Sequence, residues 1–332
     1  MSNQATGRRY PSDDSPFIVY APEFLDVLGP SPEYSIVPNV NAHEGPVYVR
    51  EWDAVLFTTV PVATNVPASG DRSVSIGRLD FASREVSTFV AATNMANGMT
   101  LDREGRLLIC EQGTRIAPAR ISRMNLQTKH PEGVVESWFD LPFNSPNDAV
   151  VKSDGTIWFT DPSYGHLQGF RNQPLVGDFV YRYDPVEQSI VVVSDSFNKP
   201  NGLAFSPDES ILYVNDSAAI QGPGTYFFNL PHHIHAFDVH AGRQLRGDRL
   251  FSVVTPGIPD GLKIDSSGRL YSSSTTGVKV FDPNGKLLGE ILAKSVANFC
   301  FGGINNNMLF MMCDTSINIA TVAATGAVRP GA

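Results

Sequence analysis

The sequence predicts an all-β fold, a six-bladed β-propeller with four antiparallel strands per blade, and three observations support it. One phrase recurs six times along the 332 residues: a polar opening residue, an alternating apolar run, a polar turn and a second apolar run. Successive copies begin 38 to 59 residues apart, close to the length of a four-stranded blade. Alternation with a period of two is typical of strands rather than helices.

The residue that opens each copy is an Asn, an Asp or a Glu. The six opening residues are Glu44, Asn97, Asn147, Asn201, Asp260 and Asn298. Polar turns such as Ser153-Asp-Gly-Thr and Ser206-Pro-Asp-Glu-Ser separate the two apolar runs that follow. Because each such turn joins two strands, the opening residues lie at the other end of the first strand.

The ends of the chain predict how the ring of blades closes. The sixth copy reaches the end of the sequence before it can supply four strands, whereas residues 34–37 precede the first copy as an unassigned strand. We therefore predict that an N-terminal strand completes the last blade and hides the sheet edges there. Residues 1–15 are expected to be a flexible segment and residues 16–332 a single propeller domain. Residues 134–139 are expected to be the fourth strand of the second blade.

Composition narrows the class of protein. The 34 acidic and 25 basic residues give a net charge of -9 without the basic stripe that nucleic acid would require. No run of eighteen apolar residues and no apolar signal-peptide core occur, so neither a membrane span nor secretion is expected. Three cysteines without a Cys-x-x-Cys spacing suit buried reduced thiols and a cytoplasmic location. The oligomeric state is left open.

The opening residues predict a metal site. In a propeller the innermost strands line the central channel, so these six residues should form a ring at one mouth of it. The ring is rich in oxygen and contains neither sulfur nor imidazole. Two carboxylates and several amide oxygens suit a hard divalent cation, for which we expect Ca²⁺, with Zn²⁺, Mg²⁺ or Mn²⁺ as alternatives.

A simpler interpretation is that Asn-Gly and Asp-Gly only begin strands, since these pairs tolerate positive φ. Two points favour the metal site. The polar turns lie at the opposite end of each strand, and Glu44 is not a turn-forming residue.

At these residues the chain resembles the SMP-30/gluconolactonase family of six-bladed propellers. The phrases that carry the resemblance are Glu44-Gly-Pro-Val-Tyr-Val, Asn97-Gly-Met-Thr-Leu, Ser145-Pro-Asn-Asp, Phe159-Thr-Asp-Pro-Ser-Tyr-Gly, Lys199-Pro-Asn-Gly-Leu-Ala-Phe and Ile258-Pro-Asp-Gly-Leu-Lys-Ile. The resemblance implies a metal held by Glu44, Asn147, Asn201 and Asp260. It also implies that Asp260 is the general base, or the nucleophile in phosphotriesterase relatives, and that the usual reaction is hydrolysis of a sugar-type lactone.

Departures from the family pattern concern the substrate. Gln112 stands where relatives often carry His, and Ser272-Ser-Ser-Thr-Thr stands where they carry a glycine-rich segment. Three long loops, at residues 61–73, 162–179 and 217–233, are expected on the face that carries the ring. They bring aromatic and polar side chains there, namely Tyr164, His166, Phe170, Arg171, Tyr226, Phe227, Phe228 and His232. The mixture predicts a small-molecule substrate that is partly hydrophobic.

The predicted activity is a metal-dependent hydrolysis that opens a lactone, with Asp260 as general base or, alternatively, with a metal-bound hydroxide as the attacking group. The residues expected to bind substrate are Asn97, Asn298, Gln112, Tyr164, His166 and Tyr226. Two other functions are considered: a metal-dependent isomerase, cyclase or lyase of secondary metabolism, and a non-catalytic binding scaffold. The sequence has none of the usual serine-triad, zinc-protease or nucleotide-binding motifs.

Overall fold

The chain folds into the six-bladed β-propeller that the repeat predicts. The structure is a computed structural model and describes residues 7–63 and 72–328. Six antiparallel sheets of four or more strands follow one another along the described chain.

The first three blades each consist of four consecutive long strands, named from the channel outward. Blade 1 contains Glu44–Val49, Ala54–Thr58, Ile76–Asp80 and Val86–Val90. Blade 2 contains Ala96–Leu101, Leu107–Glu111, Arg120–Met124 and Pro131–Val135. Blade 3 contains Ala149–Val151, Ile157–Asp161, Phe179–Asp184 and Ser189–Ser194.

The last three blades continue this order, and two of them recruit N-terminal strands. Blade 4 contains Pro200–Phe205, Ile211–Asp216, His233–His240 and Gln244–Val253. Blade 5 contains Leu262–Ile264, Leu270–Ser273, Gly277–Phe281, Leu287–Leu292, Phe17–Val19 and Arg8–Tyr10. Blade 6 contains Asn298–Gly302, Met308–Met312, Asp314–Thr321 and Glu33–Ala42.

The predicted closure of the last blade by an N-terminal strand is confirmed. Glu33–Ala42 pairs antiparallel with Asp314–Thr321 and becomes the outer strand of blade 6. Tyr34 in this strand also links two blades, because its hydroxyl donates to the Leu292 carbonyl of blade 5 at 2.7 Å and accepts from Asn318 at 2.8 Å. The outermost sheet edge of blade 6 is thereby built from the start of the chain.

The extension of blade 5 differs from the prediction of a flexible segment over residues 1–15. Arg8–Tyr10 is paired with Phe17–Val19, and Phe17–Val19 is paired with Leu287–Leu292. A short helix, Phe24–Leu28, then buries Phe24 against blade 5, where a Cβ at Gly289 would collide with the Phe24 ring. The segment is therefore held by backbone pairing and by apolar packing.

Several short elements complete the described chain. The predicted fourth strand at residues 134–139 is wrong in its position: the strand is Pro131–Val135, and Ser137–Trp138 pairs instead with Leu141–Pro142. Val62–Ala63 pairs with Arg72–Ser73, and the remaining helices are Arg50–Trp52 and Tyr164–Leu167. Over the described residues, no helix has the length and apolar character needed to cross a membrane.

The hydrophobic core lies between neighbouring blades rather than within any one of them. One cluster joins Leu56 and Ile76 of blade 1 to Leu107 and Ile109 of blade 2. Residues of alternating positions on each strand meet the facing sheet, so the period-two pattern of the sequence becomes a continuous belt of apolar contacts. Each blade is thus stabilised chiefly by its neighbours.

Replacing Phe24 tests whether the N-terminal segment is an integral part of the propeller. Phe24→Ala should lower the free energy of unfolding by about 3–5 kcal/mol, because a fully buried ring is removed. Urea unfolding followed by fluorescence measures this, with Val186→Ala, at a side chain that is 87% exposed, as the control. Equal stability of the two variants would contradict the structural role of the segment.

Candidate active site in the central channel

The six opening residues of the repeats come together at one mouth of the channel. They occupy almost the same place in every blade, at the start of the innermost strand or up to two residues before it. Glu44 and Asn298 are first in their strands, Asn97 and Asn201 are second, and Asn147 and Asp260 lie two positions before theirs. All are buried or partly buried.

Hydrogen bonds connect this ring from one blade to the next. In the first half of the ring, Thr58 Oγ1 donates to Asn97 O at 3.1 Å, Gly98 N donates to Asn147 O at 2.8 Å, and Thr160 Oγ1 donates to Asn201 O at 2.8 Å. In the second half, Gly202 N donates to Asp260 O at 3.1 Å, Gly261 N donates to Ala297 O at 2.8 Å, and Asn298 Nδ2 donates to Glu44 Oε2 at 2.8 Å. Every interface between blades is therefore bridged at the level of the ring.

The glycines that follow three of the ring residues are explained by this close approach. A Cβ at Gly98, Gly202 or Gly261 would lie within 3 Å of an atom of the next blade. None of the three has a positive φ. The interpretation of these Asn-Gly and Asp-Gly pairs as left-handed turn formers is therefore wrong; the glycines are required because two backbones touch.

Glu44 and Asp260 place two carboxyl groups in mutual contact at the ring. Burial raises the pKa of Asp260 well above its usual value, and the charge of Glu44 raises it further, while the side chain of Asn201 opposes the shift. Burial also raises the pKa of Glu44, with a contribution from Asp148. The polypeptide alone thus disfavours full ionisation of this pair.

Two basic residues that the sequence analysis did not select lie beside these carboxyls. His43 Nδ1 is 2.7 Å from Asp314 Oδ1, and burial lowers the His43 pKa, but Asp314, Glu44 and Asp260 outweigh this and raise it to about 9. Lys263 donates from Nζ to Asn298 Oδ1 at 3.3 Å. Both could have been suspected from position, since His43 precedes Glu44 and Lys263 lies on an innermost strand.

Asp148 is a further acidic group that the prediction omitted, although it directly follows Asn147. It is buried, and its Oδ2 lies 3.9 Å from Nζ of Lys263. Since Asp148 belongs to blade 3 and Lys263 to blade 5, this ion pair crosses the channel next to the ring. Its effect is to hold a cation and an anion in the same small, partly desolvated space.

In blade 3, Asp161 fixes the segment that leads into Asn147. Its carboxylate accepts hydrogen bonds from the backbone N–H of Asn144 at 2.9 Å and of Ser145 at 2.8 Å. Burial raises the Asp161 pKa to about 8, although these two hydrogen bonds act in the opposite direction. The group is fully buried and contacts two peptides that stand three and two residues before Asn147.

Blade 4 repeats this arrangement in the same register around Asn201. Asp216 accepts from the backbone N–H of Asn198 at 2.8 Å and of Lys199 at 3.0 Å, again three and two residues before the ring residue. In blade 2 the corresponding Glu111 accepts instead from the side chain of Asn94. The two-peptide carboxylate clamp therefore accompanies Asn147 and Asn201 and is replaced by a different contact at Asn97.

The predicted substrate-binding residues fall into two groups. Tyr164 is buried next to the ring: its hydroxyl donates to Ser217 O at 3.2 Å and contacts the Asn201 side chain. Gln112 is buried at the end of a blade 2 strand, whereas His166 and Tyr226 are exposed on the loops of blades 3 and 4. The structure therefore brings Tyr164 to the ring and places His166 and Tyr226 on its surroundings.

The amides of Asn97 and Asn298 are engaged by protein groups. Asn97 Nδ2 donates to Asn147 O at 3.1 Å. Asn298 Oδ1 accepts from Phe299 N at 2.8 Å, in addition to the contacts of its amide with Glu44 and Lys263. These contacts fix the orientation of both side chains within the ring.

Two loop residues expected on the rim serve the scaffold instead. Phe170 is buried in the core between blades 1 and 2. Arg171 donates to the backbone carbonyls of Asn144, Thr114, Ala117 and Phe143, so it ties the loop of blade 3 to blade 2. Of the long loop predicted at residues 61–73, positions 64–71 lie outside the described residues.

The ring can offer a cation oxygen donors only. Across residues 7–63 and 72–328, no three His, Cys, Asp or Glu side chains are grouped so that they could hold a metal by themselves. The amide oxygens of Asn147 and Asn201 would have to complete any site formed by Glu44 and Asp260. Such a donor set fits a hard cation that accepts carbonyl oxygen and retains water.

The blade contacts at the ring can be tested through its glycines. Gly98→Ala and Gly202→Ala should each lower the free energy of unfolding by about 1–3 kcal/mol, because a Cβ would overlap the neighbouring backbone. Gly222→Ala is the matched control, since its nearest neighbour there would be at 3.8 Å. Chemical unfolding compares the three variants; a loss no larger than that of the control would refute the close-approach explanation.

Comparisons with known proteins agree with this geometry. The gluconolactonase of Zymomonas mobilis subsp. mobilis is 28% identical over 303 residues, which are 90% of this chain and 83% of that protein. The lactonohydrolase oryL of Aspergillus oryzae is 27% identical over 308 residues, 86% of this chain and 69% of that protein. A solved gluconolactonase structure from Xanthomonas campestris is 29% identical, with a TM-score of 0.77 over 95% of this chain and 97% of the other.

The family model described as "SMP-30/Gluconolactonase/LRE-like region" matches residues 43–315, which include the whole ring from Glu44 to Asn298. The match confirms the resemblance that the repeated phrases suggest. This chain is therefore a member of the SMP-30/gluconolactonase/LRE-like family.

Proposed function

We propose that the protein hydrolyses a lactone at the ring mouth of its channel. The observation that supports this most directly is the buried contact of Glu44 with Asp260 inside a ring of amide oxygens. Relatives that align over most of the chain are named gluconolactonase and lactonohydrolase. A lactone is a cyclic ester, so its hydrolysis needs stabilisation of a carbonyl oxygen and activation of one water molecule.

We propose further that Glu44, Asn147, Asn201 and Asp260 hold a divalent cation, Ca²⁺ in the first instance and Mg²⁺, Mn²⁺ or Zn²⁺ as alternatives. Two buried carboxyl groups in contact repel each other when both are ionised, and a bound cation would remove that penalty. All four donors are oxygen, the preference of calcium. When bound, the cation supplies Lewis acidity to the carbonyl group of the substrate.

Asp260 is proposed as the general base. It is the partly exposed member of the carboxyl pair, so water and substrate can reach it, whereas Glu44 is buried. Its carboxylate takes a proton from the attacking water as the water oxygen bonds to the carbonyl carbon. The ring C–O bond of the lactone then breaks, and the proton passes to the departing alkoxide, which gives a hydroxy acid. Asn97 and Asn298 are proposed to orient the substrate at the edge of the ring.

We also propose that the substrate is a small molecule with an apolar part and that the protein works in a reducing, cytoplasmic environment. The first proposal is supported by aromatic side chains exposed on the face of the ring. The second is supported by three free and buried thiols, Cys110, Cys300 and Cys313. The pKa of each is raised, chiefly by burial, which keeps these thiols protonated and unreactive.

Asp260→Asn should lower kcat/KM for lactone hydrolysis by about 100-fold or more, because the residue would no longer accept a proton. Chelation of the wild-type protein should lower hydrolysis to a similar degree, and added Ca²⁺ should restore it. A panel of γ- and δ-lactones in a pH-indicator assay measures both effects, with Asp208→Asn, in a turn on the opposite face, as the control.

Two outcomes would count against this proposal. One is equal turnover by chelated and calcium-restored protein, and the other is undiminished turnover by Asp260→Asn. Product masses add a separate check. Hydrolysis adds one water to the substrate, whereas an isomerase or cyclase leaves the mass unchanged, so a metal-dependent product of unchanged mass would replace hydrolysis with isomerisation.

The clamps of blades 3 and 4 predict an effect on cation affinity. Asp161→Asn and Asp216→Asn should each weaken Ca²⁺ binding by about tenfold, because the peptides that position Asn147 and Asn201 lose an acceptor. Isothermal titration calorimetry gives the dissociation constants without reference to activity. Asp265→Asn is the matched control, since Asp265 is equally buried and accepts from the backbone of Ser267 and Arg269 in a turn on the opposite face.

All three variants should lose stability, but only the first two should lose calcium affinity. An affinity loss of the same size in Asp265→Asn would show that the effect is a general loosening of the fold. That result would refute a positioning role for Asp161 and Asp216.

A further inference from the structure

Four large apolar side chains are exposed on the ring face of blades 3 and 4. Their exposed fractions are 46% for Leu167, 53% for Tyr226, 40% for Phe227 and 87% for Phe228. Grouped exposed aromatic residues are unusual on a protein surface, and they commonly mark a place where a ligand or partner is bound. We refer to these four residues as the apolar rim.

The blade 4 part of the rim is attached directly to the candidate site. The loop that carries it begins at Ser217, whose Oγ donates to the Pro259 carbonyl, one residue before Asp260. The Ser217 carbonyl in turn accepts from the Tyr164 hydroxyl. Ala219, two residues further along, accepts a hydrogen bond from Phe227 N at 2.7 Å. Since two residues span at most about 7 Å, Phe227 is attached close to the edge of the ring.

Hydrogen bonds within the loop hold these aromatic residues in place. Ala219 N donates to Pro231 O at 2.9 Å, which closes the base of the loop. Thr225 Oγ1 accepts from Gln221 N and Gly222 N, both at 3.1 Å, which fixes the turn just before Tyr226. A surface ordered in advance loses little conformational entropy when a ligand covers it.

The blade 3 part of the rim meets the same region from the other side. Leu167 ends the helix Tyr164–Leu167, and Tyr164 at the start of that helix contacts the Asn201 side chain. The next residue, Gln168, approaches the blade 4 loop, where its Cγ would lie 3.8 Å from a Cβ at Gly222. The two loops are therefore neighbours, and both are anchored on ring residues.

We infer that the apolar rim is a subsite for a hydrophobic substituent of the substrate, so that the preferred lactones carry an alkyl or aryl group rather than several hydroxyl groups. The inference rests on the proposed lactone hydrolysis and specifies its substrate class. A polyhydroxylated lactone needs hydrogen-bonding partners around its ring, whereas Leu167, Phe227 and Phe228 offer apolar surface. Aromatic side chains bind such groups through a large contact area and favourable ring geometry.

A substrate fits this surface better than a second protein copy does. Stable protein interfaces bury roughly 800 Å² on each partner. Four partly exposed side chains supply only a fraction of that area, but they match the size of one alkyl chain or aromatic ring. Their attachment to Ser217 and Tyr164 also places them beside the site of reaction.

The test compares δ-gluconolactone with an alkyl-substituted δ-lactone such as δ-undecalactone and with the aryl lactone dihydrocoumarin. Wild-type protein should have the higher kcat/KM for the two apolar lactones. Phe227→Ser and Leu167→Ser should each lower the ratio of kcat/KM for δ-undecalactone over δ-gluconolactone by about tenfold, chiefly through KM, since part of the apolar contact is lost. Val186→Ser, an exposed apolar position on the opposite face, should leave the ratio unchanged.

The outcomes separate this inference from the proposed function. Hydrolysis of none of the three lactones would refute both. Hydrolysis with a preference for δ-gluconolactone, or with an unchanged ratio in Phe227→Ser and Leu167→Ser, would refute the subsite and leave lactone hydrolysis standing. Sedimentation velocity and vesicle co-sedimentation provide a further check: a rim-dependent dimer or rim-dependent membrane binding would also overturn the inference.

Discussion

The close approach of neighbouring backbones around the channel is the constraint on which the rest of the site depends. Gly98, Gly202 and Gly261 have no room for a Cβ, and Gly98 and Gly202 donate to the carbonyl of the next ring residue. Because the contact is made by the main chain, the ring residues are held in place while their side chains project toward the channel. A propeller can therefore assemble polar groups from six distant segments with little freedom left in any of them.

That assembly concentrates charge in a small space. Glu44 and Asp260 are in contact, and Asp148 adds a third acidic group nearby. His43 and Lys263 offset part of this charge, each from a different blade. The raised pKa values of the two ring carboxyls record what the balance still lacks, and an oxygen-ligated cation is the group that would complete it.

The sequence analysis predicted the repeating parts of the molecule and missed the contacts that do not repeat. The blades and ring residues were recognisable because each copy repeats a period-two pattern from Glu44 to Asn298. Arg8–Tyr10 and Phe17–Val19 were missed because three-residue strands are too short to show a period. The pairing of His43 with Asp314 joins residues 271 positions apart, and only the closure of the ring brings them together. The glycines were identified correctly but explained wrongly, since a turn and a close approach select the same residue.

The clamps also explain how one scaffold can carry variable loops without moving its ring. Asp161 is the last residue of its strand, and the long loop of blade 3 begins directly after it; Asp216 and the loop of blade 4 have the same relation. Each carboxylate fixes the two peptides that lead into Asn147 or Asn201 at the point where the loop departs. Changes beyond that point, including those that expose the apolar rim, therefore need not disturb the ring. Substrate preference and the positions of the oxygen donors are thus set by adjacent but mechanically separate parts of the chain.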